Sequence, residues 1–106
     1  MARAKFQAPK GTQDVLPPVS ARWELLLAAY AQTVERAGYG LVQSPMFEDL
    51  GVFQRESEGA DAVRKEMYDF EDKGGRRIAL RPEGTASIVR AFVQHGMHKL
   101  PLPVKL

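Results

Sequence analysis

The sequence predicts an α+β fold in which antiparallel β-strands are flanked by helices. Three observations support this prediction. Apolar residues recur at helical spacing from Val19 onwards, two β-favouring runs flank the glycine pair at residues 74–75, and a second helical pattern follows that hairpin. With 106 residues, the chain has the length of a single small domain.

The composition is that of a soluble globular protein, and its net charge alone indicates no particular partner. Hydrophobic residues make up 44% and charged residues 26% of the chain, so a buried core is expected. Fifteen Lys and Arg against 13 Asp and Glu leave a net charge of +2, which does not indicate a nucleic-acid partner by itself. The absence of cysteine excludes disulfides and thiolate chemistry. Because no signal peptide and no run of about 20 apolar residues is present, we expect a cytoplasmic protein without membrane contact.

The first regular element is predicted to be an amphipathic helix. Residues 1–18 form an irregular leader, since Pro9, Gly11, Pro17 and Pro18 interrupt any regular pattern. Five apolar residues then follow at i, i+3, i+4, i+7 and i+11, which is the spacing of one helix face. These residues are Trp23, Leu26, Leu27, Tyr30 and Val34. The stripe is expected to pack in the core or against another subunit rather than to bind a ligand.

The boundaries of this helix and the next strand are marked by single residues. Ser20 is a candidate N-cap, and Gly38 is a candidate C-terminal stop. Residues 41–44 are predicted to form a strand that ends at Pro45, because proline cannot donate a ladder hydrogen bond. The mixed charges of residues 46–65 predict short helices and loop.

A β-hairpin and a second helix are predicted in the remaining part. Residues 67–70 and 77–80 form the two strands, and the glycine pair between them permits the positive φ that hairpin turns require. A helix follows, with Thr85 as a possible N-cap and Gly96 as the stop.

The turn before this second helix is the strongest candidate for a binding site. Its sequence is Arg81-Pro82-Glu83-Gly84-Thr85-Ala86. Glu83 offers a carboxylate, Gly84 permits close approach to the backbone, and Thr85 adds a hydroxyl. Together they could bind a substrate ammonium group. A capped helix start explains the same residues, because acidic groups near a helix N-terminus are stabilising in any case.

Other candidate sites are weaker. His95 and His98 are spaced i and i+3, but a metal site needs further ligands and none stands out, so we predict no metal ligands. Arg76 and Arg77 could contact phosphate, although a solvated turn is the simpler interpretation.

Several short motifs along the chain match one family. They are Lys10-Gly11-Thr12-Gln13-Asp14 with Leu16-Pro17, Gly38-Tyr39 with Pro45, Lys65-Glu66-Met67-Tyr68 with Phe70 and Asp72, and Leu80 followed by the turn that contains Glu83. On these residues, nearly the whole chain resembles the N-terminal part of bacterial-type histidine–tRNA ligases, which are class II aminoacyl-tRNA synthetases. The resemblance implies a partial catalytic domain over residues 1–106. In this domain residues 1–18 are a leader, 19–45 are the motif 1 helix and strand, and 66–96 are the hairpin and the start of the substrate-binding helix.

The resemblance also implies roles for particular residues and partners. Positions that match Glu83 and Thr85 contact the α-amino group of histidine in this family, and Gly84 lies between them. Motif 1 forms the dimer interface, which assigns Trp23, Leu27, Tyr30 and Pro45 to contact with a second subunit of a homodimer. The implied substrates are histidine, ATP with magnesium, and tRNA(His).

Two motifs of the family do not occur in this sequence. They are motif 2, with its arginine for the ATP α-phosphate, and motif 3. The chain alone is therefore expected to be inactive.

The resemblance leaves two other functions open. The regulatory subunit of ATP phosphoribosyltransferase shares the fold, but it generally has aspartate and a bulkier residue where this chain has Glu83 and Gly84. A stand-alone dimerisation module is a third interpretation.

Overall fold

The computed structural model describes residues 4–54 and 65–106. They belong to two compact units, Met1–Gly40 and Leu41–Leu106. The first unit contains the helix α1 (Val19–Arg36), and the second contains a three-stranded sheet and the helix α2 (Thr85–Gln94). No helix among the described residues has the length and apolar character needed to cross a membrane.

Helix α1 begins and ends close to the predicted boundaries. Its N-cap position is occupied by Pro18 without a side-chain hydrogen bond, so the prediction that Ser20 caps the helix is wrong. Ser20 lies inside the first turn instead. At the other end, Gly38 has a φ of +84° and donates its N–H to the Glu35 carbonyl at 2.9 Å. Tyr39 donates to the Val34 carbonyl at 3.1 Å, which completes a Schellman motif and confirms the predicted stop.

The apolar stripe of α1 is largely open to solvent in this chain. None of the residues of the helix is buried. Trp23 is 51% exposed and Tyr30 is 67% exposed, and Leu27 is also exposed. Among the described residues, the stripe is therefore an exposed apolar surface of the helix.

The second unit is built on an antiparallel sheet with the strand order β1-β3-β2. The strands are β1 (Phe47–Asp49), β2 (Asp69–Glu71) and β3 (Arg77–Leu80). Strands β2 and β3 form the predicted hairpin, with Phe70 opposite Ile78. With its helices, this sheet confirms the α+β fold.

The hairpin turn is held by the side chain of Asp72. One carboxylate oxygen accepts hydrogen bonds from the Gly74 and Arg76 backbone N–H groups, at 2.8 and 2.9 Å. The other oxygen accepts from the Arg76 Nε at 2.7 Å. These bonds, led by the backbone bond from Arg76, lower the pKa of the Asp72 carboxyl below its ordinary value of 3.8. Gly75 has a φ of +79°, as the glycine pair predicted.

The strand predicted at residues 41–44 is wrong in position. Those residues have no regular secondary structure, and the strand β1 begins after Pro45. Its register pairs Phe47 with Leu80 and Asp49 with Ile78, so the partner strand lies about thirty residues further along the chain. Asp49 then caps a short 3-10 turn, Leu50–Val52, by accepting from the Gly51 N–H at 2.8 Å. Short helices and loop were predicted for residues 46–65, of which residues 55–64 lie outside the described residues.

A small core joins the sheet to α2. Its buried residues are Leu50, Phe53, Met67, Ala79 and Ala86. Ala79 comes from the central strand and Ala86 from the first turn of α2, so the core holds the start of the helix close to the end of β3. At its other end α2 reaches Gln94, and Gly96 follows in the left-handed region at a φ of +60°.

Candidate functional site

The turn between β3 and α2 is short and is organised by Glu83. Strand β3 ends at Leu80 and α2 begins at Thr85, with Gly84 in the N-cap position. The Glu83 carboxylate accepts the backbone N–H of Thr85 at 2.6 Å and that of Ala86 at 3.0 Å. The prediction that Thr85 is the N-cap is therefore wrong, because the capping hydrogen bonds come from the side chain of Glu83.

This position places the Glu83 carboxylate at the positive end of the helix dipole. The N–H groups of a first helical turn have no partners within the helix, and a carboxylate that accepts them is stabilised as an anion. A carboxylate has about four lone-pair sites, of which the two amide bonds use two. The arrangement thus fixes an anionic acceptor at the surface.

The backbone beside this carboxylate is open. A Cβ built on Gly84 would meet no atom within 4 Å, and its φ of −96° is accessible to any residue. Glu83, Gly84 and Thr85 are all exposed. The three residues predicted to bind histidine are therefore adjacent and accessible, with a carboxylate and a hydroxyl on either side of the glycine.

Two arginines fix the turn to the segment around β1. Arg81, at the end of β3, donates its backbone N–H to the Met46 carbonyl at 3.0 Å. Its Nη1 donates to the Ser44 hydroxyl at 2.7 Å and to the Ser44 carbonyl at 3.2 Å. These hydrogen bonds fix the position of Arg81, which is two residues before Glu83.

The second arginine acts from α2. Arg90 donates through Nη2 and Nε to the two carboxylate oxygens of Glu48, at 2.7 and 3.1 Å. Glu48 is only 8% exposed, so its charge needs this bidentate partner. The hydrogen bonds to Glu48 also raise the pKa of the Arg90 guanidinium. Because Glu48 lies in β1, the pair fixes the helix to the sheet on the C-terminal side of the turn.

The remaining predicted residues belong to other segments of the chain. Trp23, Leu27 and Tyr30 are on α1 in the first unit, and Pro45 is an exposed residue of the second unit. Arg76 and Arg77 are engaged on the hairpin by Asp72 and Asp69. Among residues 4–54 and 65–106, no group of three or more His, Asp or Glu could bind a metal ion.

An apolar groove runs along α2 next to the turn. Its volume is about 580 Å³, and it is lined by Val52, Ala86, Val89, Arg90, Val93 and Gln94. None of the three predicted histidine-binding residues lines the groove. It is therefore a separate feature of the helix surface.

Comparison with known proteins identifies the family of this chain. The family model for histidyl-tRNA synthetase matches residues 11–104. The chain belongs to this family. A histidine–tRNA ligase of Caldicellulosiruptor saccharolyticus is 50% identical over 103 residues, which are 96% of this chain and 25% of the relative. The chain thus spans about a quarter of the length of such relatives.

Solved structures agree with the family assignment. The structure of apo histidyl-tRNA synthetase from S. aureus matches 91% of this chain and 22% of its own, with a TM-score of 0.76 and 36% identity. A Bacillus halodurans protein described as an ATP phosphoribosyltransferase regulatory subunit/histidyl-tRNA synthetase matches with a TM-score of 0.69. Its identity is only 21%, over 92% of this chain and 25% of its own, so this second match shows the fold alone. The N-terminal portion of a class II synthetase core is the fold of this chain.

Proposed function

We propose that the family-length protein containing this chain is a histidine–tRNA ligase. It activates histidine with ATP, forming histidyl-adenylate and pyrophosphate, and then transfers the histidyl group to the 3′ end of tRNA(His). Family membership supports this function. The observation that carries it is the Glu83 carboxylate at the start of α2, next to the hydroxyl of Thr85. As a step of protein biosynthesis, this activity belongs in the cytoplasm.

The proposed role of the turn is to bind the α-ammonium group of histidine. An ammonium has three N–H donors and no acceptor, so its partners must be acceptors. Glu83 supplies an anionic one and Thr85 a neutral one, and the absence of a side chain at Gly84 leaves room between them. Charge-assisted hydrogen bonds of this kind are about twice as strong as neutral ones.

ATP and magnesium are proposed substrates of the complete protein. In the activation step an oxygen of the histidine carboxylate attacks the α-phosphorus, and the bond to pyrophosphate breaks. Magnesium would balance the charge of the phosphates. We assign neither the magnesium ligands nor the ATP contacts to residues of this chain.

The Glu83→Gln variant of the family-length protein tests the histidine site. The substitution keeps one acceptor oxygen but removes the charge, so histidine binding should weaken by about 1.5 to 3 kcal/mol, or roughly 10- to 100-fold. Isothermal titration calorimetry with histidine measures the change. Glu71→Gln removes an equivalent charge from the exposed strand β2 and should leave the affinity as it is.

An unchanged dissociation constant in Glu83→Gln would restrict this carboxylate to capping α2. Thermal unfolding of the same samples separates the two roles, because loss of a cap lowers the unfolding midpoint whether or not histidine binds there.

The regulatory-subunit function is the competing proposal, since a protein described in those terms shares the fold of this chain. Glu83 and Gly84 favour the synthetase. The two functions differ in chemistry, because only a synthetase exchanges labelled pyrophosphate into ATP in a histidine-dependent reaction. Histidine binding without exchange and without charging of tRNA(His) would support the regulatory subunit.

We also propose that Trp23, Leu27, Tyr30 and Pro45 contribute to a homodimer interface. The exposed apolar stripe of α1 supports this proposal, because contiguous apolar surface is typical of subunit contacts. Leu27→Glu in the family-length protein should shift sedimentation from dimer towards monomer. Gln32→Glu introduces the same charge on α1 outside the stripe and serves as the control. A parent protein that sediments as a monomer at high concentration would contradict the proposal.

A further inference from the structure

The hydrogen bonds of the Arg81 side chain go to neutral groups and not to a carboxylate. Its guanidinium donates to a hydroxyl and a carbonyl of Ser44, both of which are neutral acceptors. The other arginines described in the second unit each contact a carboxylate, namely Arg76, Arg77 and Arg90. The Arg81 guanidinium therefore binds both the backbone and the side chain of Ser44, and its effect is to fix the relative position of the two segments.

The location of this contact connects two segments that are distant in sequence. Ser44 precedes β1, and Arg81 lies between the end of β3 and Glu83, 37 residues later. The backbone of Arg81 is bonded to Met46 in the same stretch. On the other side of the turn, Arg90 reaches Glu48 in β1. Glu83 is therefore held between two anchors that both end on residues 44–48.

The anchor at Arg81 is the closer one and determines where the chain enters the turn. Only Pro82 separates Arg81 from Glu83, and the φ of proline is fixed near −65°. Proline also restricts the backbone of the residue before it. A shift of the Arg81 backbone is therefore passed on to Glu83 through fewer rotatable bonds than another residue at position 82 would allow. Small misplacements of a binding group are sufficient to weaken a ligand contact, even when the changed residue does not touch the ligand.

We propose that Arg81 is a positioning residue for the ammonium site. Through Ser44 it fixes the Glu83 carboxylate in the orientation that binds the α-ammonium group, and it makes no contact with histidine itself. This inference rests on the proposed histidine-binding function of the turn.

The test uses the family-length protein, with histidine affinity measured by calorimetry and the KM for histidine and kcat measured by pyrophosphate exchange. Arg81→Gln should weaken histidine binding about 3- to 10-fold, less than direct loss of the Glu83 charge. Ser44→Ala retains the carbonyl acceptor and should have a smaller effect in the same direction. The double variant should be no weaker than Arg81→Gln alone, because both changes remove one interaction.

Two further variants separate positioning from general damage. Arg81→Lys keeps a cationic donor and should recover part of the affinity. Arg77→Gln changes a residue of β3, the strand that precedes Arg81. It removes a guanidinium that pairs with Asp69 and should leave histidine affinity unchanged. A merely structural defect would lower the active fraction, and so kcat, without changing the KM for histidine. If Arg81→Gln does not fold, Arg81→Lys and Ser44→Ala carry the test.

The histidine affinities of these variants distinguish the positioning role from its alternatives. A large loss in Arg81→Gln with no effect of Ser44→Ala would show that Arg81 contacts the ligand directly and would overturn the positioning role. Unchanged affinity in Arg81→Gln would overturn it as well. A parent protein that does not bind histidine would instead remove the proposed function, and the role of Arg81 with it.

Discussion

Glu83 shows how one carboxylate can serve the fold and the proposed site together. Its bonds to the Thr85 and Ala86 amides stabilise the start of α2, and the same bonds orient it. A binding group held in this way loses little conformational entropy when a ligand arrives. The interpretation as a helix cap and the interpretation as an ammonium site, which compete when only the sequence is known, are compatible in the structure.

Asp72 provides a prediction on pH dependence at the level of a single residue. Its pKa is lowered in the folded chain, so it binds protons more weakly there than in the unfolded chain. The stabilisation is fully present above the ordinary pKa of 3.8 and is lost as pH falls through the lower pKa of the folded state. Asp72→Asn should therefore destabilise the hairpin at pH 7, and its difference from the parent should shrink in acid.

NMR titration of the Asp72 side-chain carbonyl carbon gives the pKa directly, and thermal unfolding at several pH values follows the difference between parent and variant. Asp14→Asn removes an exposed carboxylate outside the hairpin and is the matched control. An Asp72 pKa at or above 3.8 would contradict the prediction.

At the scale of elements, the ends of α1 depend on backbone geometry rather than on side chains. Gly38 has a φ of +84°, which an L-residue with a Cβ adopts at a cost of about 1 to 2 kcal/mol. Gly38→Ala should therefore lower the stability of α1 by about 1 kcal/mol, measured by circular dichroism during thermal unfolding.

Gly84→Ala is the control for this substitution in the stability measurement. Its φ is −96° and a Cβ there would meet no atom within 4 Å, so the helix should tolerate it. Equal loss of stability in both variants would show that the left-handed conformation of Gly38 is not the cause.

Elements with local signals were predictable from the sequence, and those that depend on distant partners were not. The stripe on α1, the stop at Gly38 and the hairpin follow from patterns within about fifteen residues. Strand β1 was misplaced because, among the described strands, it pairs with β3, which is distant in sequence and does not restrict where pairing begins. Leu41 and Val42, followed by Pro45, indicated a strand more strongly than the three residues of β1 that pair.

The residues of the candidate site also differ in whether a local sequence pattern could indicate them. Glu83, Gly84 and Thr85 are contiguous, so their residue types could indicate an ammonium site. Glu48 and Arg90 are 42 residues apart, and an isolated glutamate in a mixed-charge segment is expected on the surface. No local pattern could have shown that Glu48 is buried or that Arg90 neutralises it.

For the molecule as a whole, the most direct prediction is that this 106-residue chain does not activate histidine. Adenylate formation brings a carboxylate to an α-phosphate, and fixed cations must stabilise the charge that moves onto pyrophosphate. In the described part of the second unit, Arg76, Arg77, Arg81 and Arg90 are all engaged by groups of the chain itself. Loss of a single oxyanion contact typically costs about 2.7 to 4 kcal/mol, so without several of them activity should equal background.

Histidine-dependent exchange of labelled pyrophosphate into ATP by the purified chain measures this activity. The family-length protein under the same conditions is the positive control. Exchange by the chain that disappears with Glu83→Gln would contradict the prediction and would show that far less of the catalytic core is sufficient.

If the turn binds histidine as proposed, the capping bonds of Glu83 would also make the start of α2 respond to ligand binding. An ammonium group that shares this carboxylate competes for its charge while it restricts the movement of the turn. Deuterium uptake at the Thr85 and Ala86 amides, which donate to Glu83, would therefore change when histidine binds. Two backbone positions could in this way record the arrival of a ligand without any label on the ligand or on a side chain.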